Sequence, residues 1–236
     1  MKLGAYTACL HDKPVAEAIQ TLRELGLDSA EINSGGFLPP VHLPVDDLRA
    51  SKDAREEYLG LFADADVKVC IEMHPHNLVY NPATMERLAT EIDATHVGAE
   101  MDPSHLFWQG IDPVLAVEHL GGLVYNAAAK DTRINQAAKL NGVLDDRFGR
   151  VAPGDPGALS LGGRYTLSRW PERSSWDFVA VGRGHDTAFW TEFLRALSEI
   201  DPDMAVNIEH EDQELDQLEG LRSAAETLKS AASQLG

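Results

Sequence analysis

Two glutamates, each at the end of an apolar run and each followed within two residues by a histidine, are the most chemically suggestive feature of this chain. The run 67–75 (VKVCIEMHP) sets Glu72 before His74, and the run 204–212 (MAVNIEHED) sets Glu209 before His210. A third run, 96–105 (HVGAEMDPSH), places Asp102 and His105 just past an apolar stretch. A carboxylate within a strand is costly unless it meets a proton, a partner or a metal. Several of them at strand ends point to one convergent site. A hard divalent cation takes oxygen donors, and an open site needs only three or four protein ligands. Metal binding or acid–base work is therefore favoured for Glu72 and Glu209 over salt bridges at the sheet's end. Asp102 also suits an Asx turn before Pro103. His105 is spaced to reach substrate or metal, or to serve as a structural histidine.

Other residues extend this set. His74 and His76 flank Pro75, and either suits the partner that orients a metal ligand. Lys130 and Arg133 offer positive charge to a substrate oxyanion or phosphate, against surface ion pairs as the alternative. His185 is a candidate for proton transfer, and Asp186 beside it for a helix N-cap. Trp108, Phe37, Trp176, Trp190 and Tyr6 have faces that could wall a sugar, with core packing the competing role for each.

Positioning these groups falls to alternating strand and helix patterns. Strand-like runs near 3–9, 29–33, 67–73, 97–101, 123–129 and 205–209 alternate with helical spacing over 13–25, 45–62, 82–92, 112–120, 187–200 and 215–235. Pro113 sits where a first helical turn accepts proline. Such alternation predicts parallel βαβ units, with chemistry gathered at strand C-terminal ends. A seventh short strand is expected near 178–181. The stretch 131–176 reads as a long excursion with no strong period. No G-x-G-x-x-G follows the first strand, which removes the main support for dinucleotide binding.

The bulk numbers bound the function. The chain of 236 residues carries 38 acidic against 20 basic residues, a formal charge of −18. That field repels phosphate backbones and argues against nucleic acid as a partner. No stretch approaches the roughly 20 apolar residues of a membrane span. No leader pattern opens the chain, and both cysteines, Cys9 and Cys70, sit in apolar runs that suit reduced thiols, so a cytoplasmic location is expected.

Taken together, Ile71-Glu72-Met73-His74-Pro75, Glu100 to His105, Ala129-Lys130-Asp131-Thr132, Gly182-x-Gly184 and Ile208 to Asp212 resemble the sugar phosphate isomerase/epimerase group of the xylose-isomerase-like TIM barrels. The resemblance runs in order along the whole chain, as one domain of residues 1–236. It implies an α/β fold, a (β/α)8 TIM barrel, with a divalent metal at its C-terminal face. Manganese comes first, with magnesium, cobalt or zinc as alternatives. By the same resemblance Glu72, Asp102 and Glu209 are metal ligands and His105 contacts substrate. His74, Lys130, Arg133, His185 and Trp108 complete the substrate-binding set. The two glutamates would pass a proton between the faces of the carbon beside a carbonyl, which the metal acidifies. The implied activity is isomerisation or epimerisation of a ketose or sugar derivative. A sugar lyase or C-glycoside-cleaving enzyme using the same enolisation is the neighbouring alternative, and a non-catalytic carbohydrate-binding barrel the more distant one. Pairing with a second copy or a partner subunit is expected.

Two departures stand out. The family's seventh strand carries a histidine ligand in a His-x-Lys-Asp pattern, whereas residues 125–131 read YNAAAKD, which leaves Asn126 as a weak substitute ligand. The third and fourth βα units are also missing, with the joint near 62–66. Either the protein lacks them, or the chain closes over roughly a hundred removed residues of a barrel of about 250. The second is favoured, because a six-stranded remnant would expose apolar core.

Overall fold

The computed structural model describes residues 2–27, 29–31, 69–75, 79–92, 97–143 and 173–235, with 42, 50–51, 149–150 and 168–169 between them. In chain order the first elements are β1 (Lys2–Tyr6), a 3-10 turn (Thr7–Leu10), α1 (Val15–Glu24), β2 (Ser29–Glu31), β3 (Val69–Glu72), α2 (Pro82–Ile92) and β4 (Val97–Met101). There follow α3 (Pro103–Phe107), α4 (Pro113–Leu120), β5 (Val124–Ala129), β6 (Asp131–Ile134), α5 (Ala138–Asn141), β7 (Gly149–Arg150) and β8 (Ser168–Arg169). The chain closes with β9 (Trp176–Val179), α6 (Thr187–Ile200), β10 (Ala205–Ile208) and α7 (Gln217–Ala232).

Six strands form one sheet in the order β2-β1-β10-β5-β4-β3, every neighbouring pair parallel. Counted around an eight-stranded barrel, this is the order two, one, eight, seven, six, five. Among the described residues the sheet ends at β2 and β3. The third and fourth units that the sequence pattern lacks would fall between those edges. Residues 32–41, 43–49 and 52–68, with the expected helix 45–62 and the joint near 62–66, lie outside the described residues, as do Phe37 and His76.

Parallel pairing sets Glu72 beside Glu100, and Glu100 beside Asn126. Residues in register share a face, and alternate residues along a strand face opposite ways. One face of the sheet therefore collects Cys70, Glu72, Glu100, Asn126, Ala128 and Asn207, with Asp102, Lys130 and Glu209 next along it past the strand ends. The other face carries Leu3, Ala5, Ala99, Met101, Ala127, Ala129, Val206 and Ile208, which join the apolar core beneath the helices. Ala128 is buried yet lies outside that core cluster, as a position on the polar face should.

A bulge sets this phase. Ala99 pairs with Val124 but Glu100 pairs with Asn126, so Tyr125 is one residue too many for β4. Gly98 makes room for it, since a Cβ there would lie 2.6 Å from the Tyr125 ring. The extra residue lets Val124 join the core while Asn126 and Ala128 keep to the polar face.

The helices cover the apolar face with side chains at helical spacing. In α6, Trp190, Phe193, Leu194 and Leu197 are fully buried, and α7 buries Leu221, Ala224, Ala225, Leu228 and Ala231. Asp186 caps α6 as the sequence suggests, its carboxylate accepting from Phe189 N at 3.1 Å. Asp216 does the same for α7 from Glu219 N at 2.8 Å.

The excursion differs from its sequence reading. Residues 131–134 form β6, which pairs antiparallel with β9 and lies outside the main sheet. The short strand expected at 178–181 sits at 176–179 for the same reason. Four residues of mixed polarity, paired with a strand more than forty residues on, leave no period to read. Among the described residues no helix is long and apolar enough to cross a membrane.

Candidate metal centre

Glu72 ends β3, and Asp102 follows β4, so parallel pairing brings both carboxylates to the same end of the sheet. Asp102 also caps the short helix α3, accepting from Ser104 N at 2.8 Å through Oδ1. That helix, opened by Pro103, carries His105 back over the cluster. One ligand atom each from Glu72, Asp102 and His105 lies within 4.8 Å of the others. His105 Nε2 stands 3.2 Å from Glu72 Oε1 and 3.4 Å from Asp102 Oδ2.

These contacts are close but misaligned. Neither Asp102 Oδ2 nor either ring nitrogen of His105 completes a hydrogen bond, although all three atoms are buried. Buried polar atoms without partners are costly, and two carboxylates with one imidazole are a donor set that suits a first-row divalent cation. The residues present fit the metal that the sequence pattern implies.

Lys130 follows β5 and stands on the other side of Asp102. Its buried Nζ lies 2.7 Å from Glu211 Oε1, 3.2 Å from Glu209 Oε2 and 3.9 Å from Asp102 Oδ2. It also sits 4.5 Å over the Phe178 ring. Burial works against its charge, but Glu211, Glu209, Asp102 and Glu72 outweigh that and hold its proton well above the ordinary range. Burial pushes Glu209 well up, and the charges of Asp102, Glu72 and Glu211 add to this against the pull of Lys130. The carboxylates around it hold Lys130 up, whereas for Glu209 burial comes first and the neighbouring carboxylates add to it. Burial also raises Asp102. Glu72 goes the other way: burial pushes it up, but the His105 imidazole and the charges of Lys130 and His74 bring it down to about 2.

Of the other residues singled out from sequence, His74 is in the cluster. Its ring lies 4.2 Å from that of His105, with Nδ1 directed to Pro75 O at 2.7 Å. Burial and His105 hold its pKa down. The remainder are engaged elsewhere. Asn126 donates to Glu100 Oε1 at 3.0 Å and is not among the converging ligand atoms. Arg133, on β6, pairs with Glu214 at 2.9 Å and Asp177 at 3.3 Å. His185 stacks on Phe107 at 3.6 Å and binds Asp131 Oδ1 at 2.7 Å. Trp108 stacks on Trp176 at 4.8 Å, both largely buried. Glu209 is drawn to Lys130, and the third potential ligand beside Glu72 and Asp102 is His105. With Lys130-Asp131 aligned to the family's His-x-Lys-Asp pattern, its histidine falls on Ala128.

Three site-building residues were missed. Glu211 holds Lys130 more closely than Glu209 does, and the acidic run after Glu209 was the available signal. Asp131 is fully buried; its carboxylate accepts from the backbone N–H groups of Thr132, Gly182, Gly184 and His185, tying β5 to the loop before α6. Asp212 accepts from Ala180 N at 2.9 Å and Arg183 Nη1 at 2.7 Å. Neither aspartate announces a long-range partner in its local sequence.

A six-stranded parallel sheet, helices on its apolar face and acidic residues at the strand C-terminal ends define the class, and residues 14–231 match the family described as xylose isomerase-like TIM barrel. The chain belongs to that family. It is 32% identical over 168 residues to the uncharacterised protein YfiH of Bacillus subtilis (strain 168), a match that takes in 71% of this chain and 47% of that one. The chain thus spans about half the length of that relative. Among solved structures, L-ribulose 3-epimerase superposes with a TM-score of 0.50 at 10% identity, over 99% of this chain and 96% of that one. A xylose isomerase domain protein from Planctomyces limnophilus gives a TM-score of 0.45 at 16% identity, over 79% and 54%. The likeness to L-ribulose 3-epimerase is one of fold.

Proposed function

We propose that this protein is a metal-dependent isomerase or epimerase of a ketose or related sugar derivative, working by proton abstraction beside a carbonyl. The observation that carries the proposal is the convergence of Glu72, Asp102 and His105, with buried atoms that find no hydrogen bond in the protein. These three would hold a divalent cation, manganese being the first candidate. Bound there, it would polarise a substrate carbonyl and acidify the neighbouring C–H. Glu209, whose pKa burial raises, is suited to hold a proton more readily than an ordinary carboxylate. Glu72, held ionised, is the complementary base. Lys130 donates to the Glu209 carboxylate at 3.2 Å and so fixes its position beside the cluster. His74, its ring tilted against that of His105 at 4.2 Å, lines the same cluster.

A second reading, a carbohydrate-binding barrel without catalysis, draws on Ala128 at the position of the pattern's histidine and on the Glu209–Lys130 pair. Two measurements separate them. Metal content after dialysis should show one equivalent of divalent cation, lost in Glu72→Gln and Asp102→Asn. Incubation with candidate ketoses in deuterated water should place deuterium on the carbon beside the carbonyl. Metal-free protein that catalyses no exchange leaves only the binding reading.

A further inference from the structure

The backbone around Glu209 is held from two sides, and on one of them the partner is a side chain. Toward β5, Glu209 N donates to Ala129 O at 3.2 Å, which carries the ladder one residue past the end of β10. Toward β1, the register runs from Lys2 opposite Ala205 to Ala5 opposite Ile208. At Thr7 the chain then turns out of the sheet into the 3-10 turn that ends at Leu10.

In a parallel ladder one residue serves two groups of the neighbouring strand. It donates to the carbonyl before the residue opposite and accepts from the amide after it. Around Glu209 those groups are Ile208 O and His210 N, and one side chain from within the turn meets both. The Cys9 thiol donates to Ile208 O at 3.9 Å, and its sulfur accepts from His210 N at 3.1 Å. These contacts span 199 and 201 residues of chain, so no local geometry imposes them.

A thiol can do both only while it keeps its proton, because a thiolate has nothing to donate. Cys9 is 5% exposed, and burial, with the charges of Glu209 and Glu211 behind it, pushes its pKa up to about 12. The same protonation makes it a poor nucleophile and a poor metal ligand. Its chemistry is that of a small bridging group.

We infer that Cys9 is a positioning residue: past the last register pair of β1 and β10 its thiol takes the part of a ladder residue, and so fixes the backbone from which Glu209 meets Lys130. Its consequence for turnover rests on the sugar-enzyme reading above.

Cys9→Ala removes both bonds. Amide hydrogen exchange, read by NMR on the metal-free protein, should then show His210 exchanging faster by about tenfold or more, with Asn207 inside β10 keeping its rate. Turnover is read on the manganese-loaded protein as deuterium entering D-fructose, D-ribulose or D-xylulose from deuterated water. There Cys9→Ala should lower kcat by about tenfold or more and leave KM and metal content as they were, since the displaced group carries a proton and the cation is held by other residues. Cys9→Ser, which still donates and accepts, should recover most of both losses. Cys9→Val, which fills the thiol's space without either bond, repeats the test if alanine leaves the fold too weak.

A His210 amide that does not respond overturns the bridge. An unchanged kcat, a loss that falls on KM or metal content instead, or a serine variant no better than alanine overturns the positioning role. Natural protein that labels none of these sugars defeats the enzyme reading and the role in turnover with it. The His210 amide reports on the bridge alone, so the two failures stay distinct.

Discussion

Glu72 is a residue whose ionisation reports directly on the site. Its folded pKa of about 2 lies below the ordinary 4.5, so its ionised form stabilises the fold. That contribution is complete above about pH 4.5 and is lost as pH falls from there toward 2. In metal-free protein, urea midpoints of the natural sequence and Glu72→Gln should therefore differ most near neutrality and converge below pH 3. A constant difference across that range would show that Glu72 is not held ionised by its neighbours. At this scale the sequence was informative where strand ends carry acids, since a parallel sheet delivers residues such as Glu72 and Asp102 to one side. It offered His105 as able to reach substrate or metal without deciding between these and a structural role, because its placement depends on Asp102 capping a helix of five residues that no periodicity reveals. It could not show that Arg133 and His185 turn away, since Asp177, Glu214 and Asp131 are brought beside them by tertiary structure.

Between elements, two contacts set the geometry of the strand ends. Asp131 gathers four backbone N–H groups and the His185 ring, so it ties the start of β6, next to Lys130, to the loop before α6. Asp131→Ala should cost about 3 kcal/mol, because buried donors lose a charged acceptor. Chemical denaturation reads this, and a loss below about 1 kcal/mol would mean that water replaces the carboxylate adequately. Gly220 in α7 meets the His210 ring, which occupies the space a Cβ would need. Gly220→Ala gains about 1 kcal/mol of helix propensity but faces an overpacking cost of about 1–3 kcal/mol. It should destabilise the natural protein and stabilise one already carrying His210→Ala. The same sign in both backgrounds would refute the contact. The helices α6 and α7 were readable because their apolar residues recur at helical spacing over fourteen and sixteen residues. Strand β6 was not, because Asp-Thr-Arg-Ile carries no pattern apart from its distant partner.

Across the whole molecule, stability comes from the apolar face of the sheet and chemistry from the polar one. Trp190, fully buried among α6 neighbours, belongs to the first: Trp190→Ala should cost about 3–5 kcal/mol. Thermal unfolding that barely moves would place that helix outside the cooperative core. Metal content should survive the same substitution in the fraction still folded, because none of the ligand atoms belongs to α6. Parallel βα units were legible from the alternation of elements and the barrel order from the family resemblance, and among the described residues the sheet ends at β2 and β3.

The additional residue at Tyr125 has a consequence for inheritance. It sets which of two interleaved series, Asn126-Ala128-Lys130 or Ala127-Ala129, lies on the polar face of the sheet. Loss or gain of one codon within β5 would exchange the series, sending Lys130 into the oily layer and alanines to the acids. Misspelling at Ala128 alters one side chain, whereas a change of length there rewrites every position after it. This strand is therefore free to vary in letters and bound in length, and descendants of this protein should differ at 128 far more readily than they differ in the spacing from Gly98 to Lys130.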